Sequence, residues 1–448
     1  MVILCNVAYW NLENMKILAS KIDPSARLLK TSSYRSFDEL NIVDRFYELM
    51  KSKKDSKYDK DNDDIIARCR VLRIIEKEKA LKKVTAMRTL IVDSLVSNSV
   101  DLIITEIVDQ YFHDILVREA LKLNIKVIAP IQTFVNGYSR LTFYGENQIS
   151  RLPSKEEVNE VYLDLNKINY QPNYIKILKV SNSITHYKIV FANFLRYIYF
   201  SLKLLNPRNK YNYHFLASSI SLKKYGNINK ITDFKVNKNW SDKIEEKNKP
   251  KIYIPLQWYP EATIEYWCPD VNMTDFENVL LKFIKKLSSD FQIVIKEHPA
   301  AKGYRSTNLI KMINNLLNED IYCVPAEIPS NFIIGKINAV LVWTGTVGFE
   351  AALRNKPIFT IGKPYYSSGR FFKNVNLETC ISEFNNFIKE HENTTIKESE
   401  KKDLIHNLLS GFIKGFFRND GSFDKTNENH IIEINDLADN INKYFKVV

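Results

Sequence analysis

The chain opens on an unbroken apolar run, Val2 to Cys5, which is how a strand covered on both faces reads. A charge-dense stretch, KSKKDSKYDKDNDD, closes roughly the first 64 residues as a solvated loop, and a helical periodicity follows from about Ile65 to Ser97. Leu102 to Thr105 is again short and apolar, residues 110–123 carry the period of a helix, and Ile125 to Ala129 is another apolar run. Strand, helix and strand at this spacing predict a βαβ unit and therefore a parallel sheet.

Residues 151–248 lose that alternation and predict mostly helix. At their centre lies HYKIVFANFLRYIYFSLKLLNPRNK, His186 to Lys210, aromatic and basic. One reading packs it as an amphipathic helix on its own domain. The other rests it on an anionic membrane, with Lys188, Arg196, Lys203 and Arg208 toward lipid phosphates. The polar stretch ending at Lys251 reads as a linker between domains. Beyond it the rhythm is regular: apolar runs at 251–256, 292–297, 321–324, 338–343 and 357–361 alternate with helical patterns near 274–288 and 305–318 and from Val347. This predicts a doubly wound α/β sheet, in which ligands sit beyond the carboxyl ends of the strands. About 75 C-terminal residues read as helical.

Length and composition fit two folded domains: 448 residues, 45% hydrophobic and 26% charged. The net charge of +12 favours an anionic partner. Lys and Arg are spread along the chain among acids and no nucleic-acid-binding motif is visible, so nucleic acid is not the expected partner. The five cysteines lie far apart without a CxxC pair, indicating neither a disulfide framework nor a zinc site, and a reducing cytoplasm fits them best. The N-terminus lacks the basic lead of a signal peptide, and no apolar run reaches the 18 or so residues of a spanning helix.

Unusual residues recur at the predicted strand ends. KEHP closes one strand: Pro299 stops the ladder, and His298, near Lys296, Lys302 and Arg305, is placed for a phosphate or is simply a structural histidine. TGTVGFEAALRNKP closes the next. Thr344 and Thr346 offer hydroxyls, Gly345 and Gly348 permit close backbone approach, and the helix from Val347 points its amides at the turn, an anion site unless Thr346 only caps the helix and Gly348 only packs. Glu350, at about the fourth helical position, suits ribose hydroxyls or the helix dipole. In PLQWYPE, Gln257 and Glu261 suit sugar hydroxyls, or belong to a polar loop around Trp258. GxxxxGK[ST] and GxGxxG are both absent, which removes the usual warrant for ATP hydrolysis or dinucleotide redox chemistry.

Together PLQWYPE, VIKEHP with Gly303 and Arg305, and WTGTVGFEAALRNKPIFTIGKPYY resemble the bacterial capsule and surface polysaccharide biosynthesis glycosyltransferases, among them Kdo (3-deoxy-manno-octulosonic acid) transferases. The His-Pro pair and the Thr turn are also similar to the CMP-binding motifs of bacterial sialyltransferases. The resemblance runs from Lys251 to Tyr366 and is faint in the first 150 residues. It implies a GT-B fold: two Rossmann-like domains with a central cleft and a helical insertion. The expected divisions are 1–150 for the acceptor, 151–248 as helical insertion and linker, 249–425 for the nucleotide sugar, and 426–448 as a C-terminal helix.

The resemblance further implies that His298 and the turn Thr344, Gly345, Thr346 hold the single phosphate of a CMP-sugar, with Glu350 on the ribose. Lys296 and Arg305 would answer the carboxylate of an acidic sugar. No cofactor or metal is implied beyond the nucleotide-sugar donor, since a monophosphate leaving group asks less charge stabilisation than a pyrophosphate. The partners are then a nucleotide sugar and a glycan or lipid-linked acceptor at the inner face of the cytoplasmic membrane. Where relatives carry a carboxylate in the N-terminal half, VNGYSR places Asn136, which cannot abstract a proton. The base is therefore sought at the end of the strand LIITE, with Glu106 ahead of Asp109. Competing readings are a polyol-phosphate transferase using CDP-glycerol, a sugar-nucleotide 2-epimerase, and a noncatalytic basic protein on membrane or nucleic acid.

Overall fold

A computed structural model describes the chain except residues 9, 53–58, 168–169, 171, 173–182, 226–232, 247–248, 302–303, 393, 420 and 446–448. Lys302, Gly303 and part of the charged loop before Ile65 thus lie outside the described residues. The strands, in chain order, are β1 (Val2–Asn6), β2 (Arg27–Thr31), β3 (Leu102–Ile104), β4 (Lys126–Ile128), β5 (Pro130–Gln132), β6 (Tyr138–Leu141), β7 (Lys251–Pro255), β8 (Gln292–Lys296), β9 (Ile321–Val324), β10 (Ala339–Val342), β11 (Ile358–Thr360), β12 (Phe372–Asn374) and β13 (Ile413–Lys414).

Two compact units form. The first comprises Met1–Lys176, Tyr199–Ser219 and Ile405–Val448; the second comprises Ile177–Ile198 and Ile220–Leu404. In the first, a parallel sheet runs in the order β2-β1-β3-β4. Its apolar runs are buried because helices cover it: Leu12–Ile22, for example, puts Met15, Leu18 and Ile22 in one cluster with Ile3, Cys5 and Ile104. The C-terminal helix Glu428–Phe445 joins the same cluster through Ile434, Leu437 and Ile441. A small antiparallel sheet, β13-β6-β5, completes this unit.

The second unit holds a six-stranded parallel sheet in the order β12-β11-β10-β7-β8-β9. Numbered from its own first strand, this is the doubly wound order 3-2-1-4-5-6 with its switch point between β7 and β10. Helix Phe276–Leu287 packs Phe276, Leu280, Phe283 and Leu287 on it, with Ile252, Ile293 and Leu341 beneath. The α/β class and the two Rossmann-like sheets expected from the sequence are borne out.

Some local expectations change. The helical pattern from Ile65 to Ser97 is broken: one helix covers Asn62–Arg68 and the next starts at Lys77, because Cys69 and Leu72 between them are drawn fully into the core. The stretch read as linker is partly packed. Val236 bridges to Cys323 and the Asn237 amide donates to the Cys323 carbonyl at 2.8 Å, covering the outer edge of β9. Residues 372–374 add an edge strand that the apolar rhythm did not announce, being only partly buried. Four cysteines are buried and Cys380 is exposed.

Candidate functional site

In the second unit, β7 leads into Gln257 and β10 into Thr344, so the two residues stand on either side of the switch point. They are joined twice. The Gln257 amide donates to the Thr344 hydroxyl at 2.7 Å, and the Thr344 backbone N–H donates to the Gln257 amide oxygen at 3.1 Å. The Gln257 amide also donates to the Thr263 hydroxyl, which itself donates to Glu261 at 2.6 Å. Gln257 and Glu261, read as sugar ligands, therefore engage Thr263, and Gln257 braces the turn that follows β10. The Thr344 hydroxyl, read as a phosphate ligand, is buried and spent on Gln257 and on the Thr263 carbonyl.

What the bracing leaves available is the next three residues. Among the described residues, the amides of Gly345, Thr346 and Val347 make no hydrogen bond, and the Thr346 hydroxyl does not cap the helix Val347–Ala352. A row of unpaired amides at a strand end is a nest for an anion. The two glycines differ. A Cβ on Gly345 would meet only the Gln257 oxygen at 3.9 Å, whereas one on Gly348 would lie 2.7 Å from the Tyr366 hydroxyl and 3.2 Å from Val342. Gly348 is thus a packing glycine that admits Tyr366, whose hydroxyl donates to the Gly345 carbonyl and holds the turn from below.

The KEHP segment follows β8, the other neighbour of β7. Glu297 and Arg305, exposed by only 6% and 2%, form a bidentate pair at 2.6 and 3.0 Å. Arg305 also donates to the Gln257 carbonyl at 2.9 Å, and the His298 N–H donates to Glu297 at 2.7 Å. Arg305 was expected to answer a sugar carboxylate; it is instead buried and neutralised by Glu297, and it locks the Gln257 and His298 loops together. The His298 side chain reaches the surface beside Trp258, their ring centroids 6.2 Å apart, and Trp258 lies 5.0 Å from Tyr304. Crowding by protein lowers the His298 pKa to about 4, and the positive charges of Arg305 and Lys296 act in the same direction. Pro299 opens a short turn of 3-10 helix, and β8 ends at Lys296.

Lys296 is buried and donates to the Ile328 carbonyl at 2.8 Å and the Ser330 hydroxyl at 3.2 Å. Burial lowers its pKa to about 8 against the opposing pull of Glu350 and Glu327. The half-buried Glu350 carboxylate makes no hydrogen bond among the described residues, and burial raises its pKa while Arg354 and Lys296 oppose the rise.

The first unit has a switch point of its own, between β1 and β3. The Asn6 amide crosses it to the Thr105 hydroxyl at 3.0 Å, and the buried Asn11 amide crosses it to the Glu106 carboxylate. Asn11 is fixed in turn by the Ala8 N–H at 2.8 Å. Burial, then the charge of Asp109, raises the Glu106 pKa to about 7. Asp109 is paired with Arg70, which also donates to its backbone carbonyl at 3.2 Å. Asn136 is elsewhere, on the turn between β5 and β6, where its backbone N–H donates to the Tyr170 hydroxyl at 3.2 Å. Sequence reasoning missed Asn11, Glu297 and Tyr366, because an isolated Asn, Glu or Tyr carries no local pattern; only their partners give them roles. Among the described residues, no group of three His, Cys, Asp or Glu is placed to hold a metal ion.

Two parallel α/β units, each with polar groups gathered at a switch point, define a Rossmann-type fold. Residues 186–378, somewhat under half the chain, match the sequence family described as capsule polysaccharide biosynthesis protein, which bears out the resemblance carried by the three strand-end motifs. No curated protein matches the chain closely. Similar solved structures include Thermosulfurimonas dismutans KpsC, beta Kdo 2,7 transferase, at 13% identity and TM-score 0.38 over 98% of this chain and 99% of that one. S. aureus MnaA with UDP is similar at 13% identity and TM-score 0.30, over 100% of this chain and 97% of that one. Both are distant likenesses.

Proposed function

We propose that the protein is a glycosyltransferase of capsule or lipopolysaccharide synthesis that moves a Kdo or sialic-type sugar from a CMP-linked donor to a growing surface glycan at the inner face of the cytoplasmic membrane. The observation that carries the reading is the braced turn after β10, whose amides at Gly345, Thr346 and Val347 are unpaired among the described residues and whose Gln257 brace is tied through Arg305 and Glu297 to His298. The donor's single phosphate sits on those amides, with the Thr346 hydroxyl and His298 completing its contacts. Glu350 takes ribose hydroxyls, and Trp258 and Tyr304 offer ring faces beside the phosphate.

In the first unit Glu106 removes the acceptor hydroxyl's proton as that oxygen attacks the anomeric carbon. A carboxylate with a pKa near 7 is matched to this task, being a stronger base than an ordinary one yet still ionised near neutrality. Asn11 fixes which carboxylate oxygen is left for the acceptor. CMP leaves carrying the bonding electron pair, its charge met by the amide row.

The test is a thermal-shift series with CMP, UMP, UDP, GDP and CDP-glycerol, followed by an assay for CMP release from CMP-Kdo and CMP-sialic acid. Selective stabilisation by CMP is expected, since a ligand that binds only the folded state raises its apparent stability. A response to UDP alone would replace the reading with uridine-linked chemistry, and one to CDP-glycerol alone with polyol-phosphate transfer.

A further inference from the structure

The chain's charge is less evenly spread than its composition suggests. Residues 165–232 contain eleven Lys and Arg and no Asp or Glu, against a net +12 for all 448 residues. Within this acid-free belt lies the helix Ser183–Leu205. Its described part buries one side, through Val190, Asn193 and Phe200. The opposite side is apolar and open: Phe191, Phe194, Leu195, Ile198, Leu202 and Leu205 are all exposed, Phe191 by 61%, Leu202 by 60% and Leu205 by 75%. At 100° per residue these six fall within an arc of about 100°, and Lys188, Lys203 and Arg196 lie to one side of it, about 20°, 80° and 100° beyond its edge.

A free stripe of that size needs an occupant, since monomeric proteins rarely leave a large contiguous apolar patch in water. Its chemistry selects one. The occupant must supply an apolar phase deep enough for Phe and Leu side chains and negative charge alongside it. A second copy docking stripe to stripe would set basic edges together with no acid in either belt. Nucleic acid offers charge but nothing for the aliphatic stripe. A bilayer with anionic headgroups meets both demands, and no described helix is long and apolar enough to cross one.

We infer that the helix Ser183–Leu205 is an in-plane membrane-docking element: its stripe from Phe191 to Leu205 enters the acyl boundary of an anionic leaflet, while Lys188, Arg196 and Lys203 hold the headgroup phosphates. This gives the membrane location in the proposed function a specific surface, and it stands apart from the donor chemistry because vesicle binding is read without nucleotide.

The experiment is flotation of the full-length protein with vesicles of phosphatidylcholine alone or mixed with phosphatidylglycerol, at low and high salt. Two variants accompany it, Phe191→Ser with Leu202→Ser and Arg196→Glu with Lys203→Glu; an unchanged thermal midpoint and circular dichroism spectrum verify that both are folded. The parent is expected to float with the mixed vesicles at low salt and largely lose them at high salt. Each double variant should bind those vesicles at least about tenfold more weakly. Equal binding to both vesicle types would overturn the anionic assignment. No flotation at low salt would overturn the docking itself. Self-association that the Phe191/Leu202 variant abolishes, with no flotation, would give the stripe to a second copy.

Discussion

The two sheets solve the switch point in opposite ways. In the second unit the bracing groups are tied to one another: Gln257, Thr344, Thr263 and Glu261 form one chain of hydrogen bonds, and Arg305 with Glu297 ties the neighbouring loop to them. In the first unit a half-buried acid is held by one amide and pressed by a second carboxylate, so its pKa rises to about 7. Under the proposed function the contrast separates binding from reactivity. A ligand cradle gains from groups that cannot move, while proton transfer needs a group whose charge is costly to keep.

The largest effect that would break this contrast is at Glu106. Glu106→Gln should lower transfer on the order of 10²–10⁴-fold and leave the CMP thermal shift intact; wild-type turnover would hand the role to Asp109. The same substitution should reveal the cost of holding that acid in the fold. A carboxylate with a raised folded pKa contributes stability that is present below its unfolded value near 4.5 and lost as pH rises toward 7. Glu106→Gln should therefore melt above the parent at pH 8, by a margin that shrinks toward pH 5.

Next in size is the bracing of the second unit. Arg305→Ala leaves Glu297 buried and unpaired, and a loss of about 3–5 kcal/mol in a denaturant titration is expected. A small change there would mean that water replaces the guanidinium. His298→Ala should weaken donor binding roughly 10- to 100-fold, the worth of one hydrogen bond to a charged group, without changing the thermal midpoint of the free protein. With its pKa lowered to about 4, His298 stays neutral from pH 6 to 8, so donor affinity should be level across a range in which turnover climbs as Glu106 ionises. Parallel pH profiles for binding and turnover would erase the distinction between the two switch points.

The smallest effects separate two glycines three residues apart. Gly348→Ala should cost about 1–3 kcal/mol by displacing Tyr366. Gly345→Ala has room, its Cβ meeting only the Gln257 oxygen at 3.9 Å, and should leave stability nearly unchanged while reducing CMP affinity if the donor phosphate approaches that backbone closely.

How much of this was legible in the sequence follows from the reach of each signal. The strands β7 to β11 read directly, since fully buried parallel strands are continuous apolar runs. β2 and β12 did not, because RLLKT and FKN are only partly covered and look like surface. Candidate residues stood out where strand ends concentrate uncommon types, as at His298 and Thr344. Their roles were less legible: Arg305 looks like a ligand until Glu297, eight residues away, is seen to neutralise it. Gln257 looks like a sugar contact until Thr344, 87 residues away, claims its amide. Charge spacing along a chain does not say which charges meet across a sheet.

The distribution of thiols gives the protein a ready handle for spectroscopy. Cys5, Cys69, Cys268 and Cys323 are buried, and burial pushes the Cys5 thiol up to about 12, so they resist alkylation while the fold holds. Cys380, exposed ahead of the helix Ile381–Glu392 in the second unit, is left to take a maleimide dye without any substitution. Fluorescence anisotropy of the native chain labelled there would follow it onto and off a vesicle in real time, and unfolding would announce itself as the uptake of further label.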